Sequence, residues 1–288
     1  MVITRRTNLI AMTAFAAAPS LGFGAGGGSG GGAATKPLRI GEIGAGWLVQ
    51  SGQQDGGTGK YTVVVQTATK LTGLRCECIE VDLGSSTFPP GALAGGSRAT
   101  ASVLPVIAGA TRAALARSRQ YAVMKGGLLA GGEPDSVVVE AGQLVKDGQR
   151  ASSATVLRHQ RIGCAEGRLQ SGVKAGDFSY RSFGSHLEGL RRDPRISRLR
   201  VARLVSAINV GKVVSPLAAR NQVEGAIIMG LGMALFDAVE NDLRSGFLVN
   251  NNYAEYVVPV YGDLPDIDVT LLYYPDYTLN ESGALGIG

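Results

Sequence analysis

Asp55-Gly56-Gly57-Thr58-Gly59-Lys60-Tyr61-Thr62 sets three glycines between a short apolar run and a stretch of helical spacing. Glycines there let backbone N–H groups come close to a ligand, and the start of a helix favours an anion. The loop is not a nucleotide phosphate loop, because the G-x4-G-K-[ST] spacing fails where Tyr61 follows Lys60. An ordinary tight turn is the competing reading. A second loop, Gly95-Gly96-Ser97-Arg98-Ala99-Thr100-Ala101-Ser102, also leads into a helical stretch. Thr100 and Ser102 are helix caps in one reading and small hydroxyl donors to a ligand in the other. A third loop, Gly211 to Gln222, reads G-K-V-V-S-P-L-A-A-R-N-Q and leads into an apolar helix. Gln222 brings two donors and one carbonyl acceptor, and a surface or capping role competes with a ligand role.

Other chemistries find little support. The cysteines are Cys76, Cys78 and Cys164. Cys76 and Cys78 share a face of an expected strand, a poor geometry for a mutual disulfide. No C-x2-C pair signals zinc or an iron–sulfur cluster, and His159 and His186 are far apart in sequence, so a protein-ligated metal site is not expected. Net charge is +5 with no aromatic-interleaved basic stripe, which argues against nucleic acid. The densest basic run, Arg191 to Arg203, reads as the solvated face of a hairpin.

The elements that must position these loops follow from length and periodicity. With 288 residues, 45% of them hydrophobic, the chain can bury one large core or two ordinary ones. Trp47 to Gln50 reads as a strand, Gly52 to Gly59 as a loop, and Tyr61 to Leu71 as a helix. Ile79 to Leu83 alternates as a strand does, and Ala99 to Gln120 has helical spacing. Val137 to Glu140 and Gln143 to Val145 form a small hairpin around Ala141-Gly142. Phe183 to Arg191 and Leu199 to Ile208 flank the turn Asp193-Pro194-Arg195. Pro216 suits a helix start, Val223 to Val239 is an apolar helix, and Ile267 to Tyr273 a last strand. The expectation is an α+β fold of two mixed-sheet α/β units.

Residues 1–37 do not read as fold. Arg5-Arg6 precede the apolar run Leu9 to Ala18, and small residues follow, which is the order of an export signal. Thr4-Arg5-Arg6 looks like a twin-arginine address, with cleavage after Ala16 or near Ala25 and a periplasmic destination, a chance basic-apolar N-terminus on a cytoplasmic protein being the competing reading. The run is too short to span a bilayer, and no membrane span is expected. Gly24 to Ala34 has the composition of a flexible linker.

In order along the chain, these segments resemble the C-terminal part of the large, molybdenum-cofactor-binding subunit of the xanthine dehydrogenase and aldehyde oxidase family. The similarity is greatest to bacterial periplasmic aldehyde oxidoreductases. The family pattern Q-x-G-x-x-D-x-G-T-G-x-Y-T stands at Gln50 to Thr62, G-D-S-x-x-P-P at Gly84 to Pro90, and G-G-S-x-x-T-A-S at Gly95 to Ser102. V-x-D-P-x-x-G-x-x-R-V-x-R falls at Arg191 to Arg203 and G-R-x-x-N-P-x-x-A-x-x-Q-x-x-G at Gly211 to Gly225. Val249 to Pro259 and Gly283 to Gly288 complete the set. Gly56 replaces an apolar residue, Ser215 an asparagine, and Leu285 a basic residue.

The resemblance implies a cofactor cradle for molybdenum-molybdopterin, in its dinucleotide form. Gly57, Thr58 and Gly59 would approach the pterin, as would Ala99, Thr100, Ala101 and Ser102. Lys212, Val213, Val214, Ser215, Pro216, Leu217 and Ala218, with Gln222, would hold the phosphate-bearing tail and the pterin edge. Leu285, Gly286, Ile287 and Gly288 would line the metal. The loops are expected to converge on one side. Residues 1–37 would be a signal-like segment and linker, 38–125 the first half of the second cofactor-binding domain, 126–179 a variable connection, and 180–288 the second half, truncated at its C-terminus. The implied reaction is hydroxylation of an aldehyde or N-heterocycle with water as the oxygen source and a glutamate as base. That glutamate would follow Gly288, so no residue of the chain takes a catalytic role and the isolated chain is expected to be inactive. Iron–sulfur clusters and FAD would sit only on partner subunits, and the first half of the large subunit would be a further partner. A non-catalytic cofactor-binding or assembly module, or an inactive gene fragment, is the alternative.

Overall fold

The computed structural model describes residues 10–15, 46–91, 94–97, 99–170, 182–193, 195–196, 198–278 and 280–287. The chain divides into two compact units, Met1–Tyr180 with Tyr277–Gly283, and Arg181–Asp276 with Ala284–Gly288. Together they give the expected combination of helices with small sheets.

The first unit runs β1 (Ile10–Phe15), β2 (Trp47–Ser51), α1 (Lys60–Thr72), β3 (Ile79–Leu83), α2 (Ala99–Val123), β4 (Val138–Glu140), β5 (Gln143–Lys146), β6 (Gln149–Ser152), α3 (Ser153–His159) and β7 (Gly167–Gln170). Its main sheet has the order β3-β2-β1-β7, and every pairing in it is parallel. A parallel strand covered on both faces is apolar without alternation. Trp47, Leu48 and Val49 of β2 are accordingly all buried. They pack with Val64 and Ala68 of α1 and with Val103, Val106, Ile107, Ala110 and Ala114 of α2, whose three- and four-residue spacing is one helical face. The 25-residue α2 is long and apolar enough to cross a membrane by length and composition, yet half of its most apolar window is buried, as befits a core helix.

The stretch 126–179 carries β4 to β7 and α3, all within the first unit. β4, β5 and β6 form an antiparallel sheet. Leu144 and Ala151 join Ala122, Val123, Leu129 and Val156 in a second apolar cluster. Lys146 ties this sheet to the end of α2, its ammonium donating to the Leu129 and Ala130 carbonyls, each at 3.4 Å, and to the Gly131 carbonyl. Ser152 caps α3, its hydroxyl accepting from the Thr155 N–H at 3.1 Å. Sequence periodicity missed β6, α3 and β7 because each is too short to show a period.

The second unit holds β8 (Phe183–Asp193), β9 (Arg198–Asn209), α4 (Pro216–Leu235) and β10 (Asp266–Leu272). β8 and β9 are antiparallel with an irregularity at Gly189/Leu190, and β9 and β10 are parallel, so this sheet is mixed, as expected. α4 lays Val223 and Ile227 on Leu204 of β9, with Ile208, Ile267, Val269 and Leu271 around them. α4 stops at Leu235, not Val239, because the N–H groups of Phe236 and Asp237 both turn onto the Gly232 carbonyl, each at 2.8 Å.

Contrary to the expectation that residues 1–37 lie outside the fold, Ile10–Phe15 forms a strand inside the main sheet. Ile10 to Thr13 pair with Trp47 to Gln50 on one side, and Met12 to Phe15 pair with Gly167 to Gln170 on the other. A short apolar run satisfies the pattern of an export signal and that of a buried parallel strand equally well. The Thr4-Arg5-Arg6 motif and the Gly24 to Ala34 tract lie outside the described residues.

Two outcomes follow from this packing. Deleting residues 1–16 removes the strand that joins β2 to β7. At roughly 2–4 °C per kcal/mol for a chain of this size, the thermal midpoint should fall by on the order of 10 °C. An unchanged midpoint by calorimetry would remove β1 from the fold. The second concerns Lys60, only 2% exposed at the start of α1. Burial pushes its ammonium below the ordinary lysine range, and the Asp55 carboxylate offsets part of that. The unfolded chain then holds this proton more tightly than the folded one. Stability contributed here therefore rises with pH between the lowered folded value and the ordinary value near ~10.4. Denaturation midpoints taken up the alkaline range should climb for the wild type relative to Lys60→Met; parallel curves would refute the effect.

Candidate functional site

The Asp55 loop hangs from the end of β2 and is held at several points. The Gly84 N–H donates to the Ser51 carbonyl at 2.9 Å, and the Gly52 N–H to the Pro89 carbonyl at 2.8 Å. The segment 84–91 is thereby clamped along residues 51–53. The clamp is tight enough to require glycine. A Cβ on Gly52 would stand 2.9 Å from the Pro89 oxygen, and one on Gly91 2.3 Å from the Gln53 Cβ.

Within the loop, Asp55 is the organising residue. One carboxylate oxygen, Oδ1, accepts from the Gly57 N–H at 3.1 Å, the Thr58 N–H at 3.0 Å and the Thr58 hydroxyl at 3.3 Å. Lys60 donates its ammonium to the Gln54 carbonyl and so closes the loop from the helix side. These two amides are taken by the chain's own Asp55. The loop still presents open backbone. A Cβ added at Gly56 or Gly57 would meet nothing within 4 Å. Gly57 and Gly59 have φ of 86° and 81°, a left-handed conformation that glycine adopts without strain.

Beside the loop, Gln53 is 1% exposed, and among the described residues neither its amide nitrogen nor its oxygen has a hydrogen-bond partner. Leaving such groups unpaired costs about 1–3 kcal/mol each. Ala99, Thr100, Ala101 and Ser102 form the first turn of α2, with Ala99 buried and the other three half-buried. α1 and α2 pack side by side in this unit.

The second unit brings its own predicted segments together. β9 ends at Asn209, whose side-chain oxygen accepts from the Gly211 N–H at 3.0 Å and turns the chain. Gly211 bridges to Ala284, and the Leu285 N–H donates to the Val210 carbonyl at 2.9 Å. The Leu285, Gly286 and Ile287 segment is thereby pinned where the Lys212 to Ala218 loop leaves β9. Lys212, Val213, Val214 and Ser215 are half-buried, Pro216 opens α4 at its first position, and Leu217 is 82% exposed. Gln222 lies half-buried on α4, and Ile287 packs on the cluster of Leu204, Val223 and Ile227. Gly288 lies outside the described residues.

Thr58 and Ser102 thus belong to the first unit and Gln222 to the second. Among the described residues no group of three or more His, Cys, Asp or Glu could hold a metal ion. The sequence reading did not foresee the roles of Asp55, Lys60 and Asn209. The signal was present for Asp55 and Asn209, since a short polar side chain two or three residues before a glycine-rich turn commonly accepts from the turn's own amides.

Residues 10–265 match the family model described as the molybdopterin cofactor-binding domain. The aldehyde oxidoreductase molybdenum-binding subunit PaoC of Escherichia coli (strain K12) is 30% identical over 241 residues, covering 83% of this chain and 32% of the relative. The nicotine 6-hydroxylase large subunit of Paenarthrobacter nicotinovorans is 27% identical over 252 residues, covering 83% and 30%. Among solved structures, quinoline 2-oxidoreductase from Pseudomonas putida 86 superposes with a TM-score of 0.70 at 22% identity, over 86% of this chain and 32% of that one. The chain spans about a third of the length of the curated relatives it matches. Motif order, fold and family match agree: the chain belongs to the molybdopterin cofactor-binding domain family.

Proposed function

We propose that the chain forms part of the cofactor cradle of a molybdenum hydroxylase acting on aldehydes or N-heterocycles. The observation that carries this reading is the Asp55 loop, fixed by its own carboxylate and open over Gly56 and Gly57. A flat pterin can approach such backbone more closely than it could approach any residue with a side chain. The unpaired Gln53 amide beside the loop adds one donor group and one acceptor that suit a heterocycle edge. In the second unit Lys212 supplies a cation for the phosphate-bearing tail of a dinucleotide form, and Gln222 an amide for the pterin edge. The Leu285 to Ile287 backbone, pinned through the Leu285 N–H to the Val210 carbonyl, lies next to them in this unit.

When bound, the cofactor supplies a two-electron oxidation centre that hydroxylates an electrophilic carbon with water as oxygen source. The chain's own residues bind and orient it. Iron–sulfur and FAD subunits take the electrons, and the part of the large subunit that this chain does not span closes the cradle and excludes water, which strengthens every polar contact inside. The Thr4-Arg5-Arg6 motif supports export of the folded protein to the periplasm.

The test is to express the chain alone, and with the part of the E. coli PaoC subunit that it does not cover together with the iron–sulfur and FAD subunits. Molybdenum content and aldehyde oxidation are measured in each sample. The chain alone should show no turnover, while the assembled sample should retain molybdenum. Gly57→Val puts a branched side chain into the open face and a strained φ, and should cut the metal content of the assembled sample at least about tenfold, the effect of ~1.4 kcal/mol on binding. Robust oxidation by the chain alone, or full metal content in Gly57→Val, would refute the proposal.

A further inference from the structure

Among the described residues, the second unit's sheet has one covered face and an unpaired edge at β8. In the registers of its pairings, Glu188, Leu204 and Ile267 share a face, as do Leu187, Val205 and Asp268. The first is the α4 face, since Leu204 and Ile267 pack with Val223 and Ile227. The other face receives no helix of this unit, and on β8 it carries Phe183, Leu187 and Arg191. β8 is also the edge of the sheet, and all its residues from Phe183 to Arg192 are exposed. Phe183 is 65% exposed and Leu187 72%. A long exposed edge strand with apolar side chains is a template for pairing, and natural proteins cover or blunt it.

Charge on the hairpin points the same way. Arg191 stands directly opposite Arg200, and like charges in that position destabilise a sheet. On β9 the arginines have partners of their own. Arg198 meets Asp263 at 2.7 Å, Arg203 lies 3.9 Å from Asp266 and 3.7 Å from Asp268, and Arg200 reaches the Gly262 carbonyl at 3.5 Å. No such partner faces Arg191 or Arg192 among the described residues. The edge therefore offers open backbone, two apolar anchors and unpaired positive charge at its far end.

We infer that β8 is the seat of an extended segment from the part of the large subunit that this chain does not span. That segment adds a strand to β8, lays apolar side chains over Phe183 and Leu187, and sets a carboxylate opposite Arg191. The occupant is argued from length and charge. The relatives are about three times as long as the matched region, and the edge calls for an acidic strand. The inference rests on the reading of the chain as part of such a subunit.

Hydrogen exchange with mass spectrometry tests it, on the full 288-residue chain alone and co-expressed with the uncovered part of the E. coli PaoC subunit. Amides of Phe183 to Arg192 should exchange at least about tenfold more slowly in the complex, as for a strand paired on both sides. Leu187→Asp and Arg191→Glu, both at exposed positions, should weaken the complex at least about tenfold, an effect of ~1.4 kcal/mol. Val138→Asp, exposed in the other unit, should leave it unchanged. A complex in which β8 exchange is unaltered overturns the inference. So does a complex indifferent to Leu187→Asp, and so does the absence of any complex. Concentration-dependent protection of β8 in the chain alone would assign the edge to a second copy, and overturns it too. Molybdenum content in the same preparations reads the cofactor proposal separately.

Discussion

The site depends on one carboxylate. Asp55 gathers two backbone amides and a hydroxyl onto a single oxygen, which neutralises the donors that a glycine-rich turn at a helix start would otherwise leave exposed. Hydrogen bonds to a charged group are stronger than neutral ones, so a loop with three glycines in eight residues is held in a single shape despite its conformational freedom. Lys60 completes the arrangement from the helix side. Its burial is unfavourable for an ammonium. The Gln54 carbonyl and the nearby Asp55 charge offset part of that cost, so the two charged residues fix the loop jointly. What remains for a ligand is the bare backbone of Gly56 and Gly57.

The rest of the first unit serves that loop. The parallel sheet, buried through Trp47, Leu48 and Val49, sets the height of the β2 terminus, and the clamp from Gly84 and Pro89 fixes the loop's root. The second unit solves its own problem in a similar way, with Asn209 turning the chain and Val210 pinning Leu285. The two units differ in how completely they bury themselves. The first has two apolar clusters that span its sheets and helices. In the second, Leu204, Val223 and Ile227 pack under α4, while Met229, Met233, Phe247 and Tyr261 are largely exposed.

The sequence made some elements plain and hid others for physical reasons. The strand Ile79–Leu83 and the start of α2 at Ala99 were legible from alternation and a small-residue helix start, but Cys76 and Cys78, expected on a strand, form a 3-10 turn just before it, where the Cys78 N–H turns back onto the Arg75 carbonyl. The hairpin of β8 and β9 was legible from Asp193-Pro194 and its flanks. The extent of α4 was not, since its end is set by two amides converging on Gly232 and not by a breaker residue. β1 was hidden because a six-residue apolar strand and the core of an export signal look the same in one dimension. Only pairing with both Trp47–Gln50 and Gly167–Gln170 separates them. For the site, the glycine loops stood out by composition, but the roles of Asp55 and Lys60 emerged only from the distances. The unpaired Gln53 amide could not have been read from the sequence, since it is defined by what its neighbours fail to offer.

The proposed cradle rests on the loop that Asp55 shapes. Its most direct test is the amount of pterin released from the assembled protein, read by fluorescence after oxidation, in wild type, Asp55→Asn and Asp55→Ala. Asparagine keeps an acceptor oxygen in place, so Asp55→Asn should retain most of the pterin. Asp55→Ala frees the Gly57 and Thr58 amides, and the loop should lose its shape and most of its pterin. Equal pterin in Asp55→Ala and wild type would contradict the account.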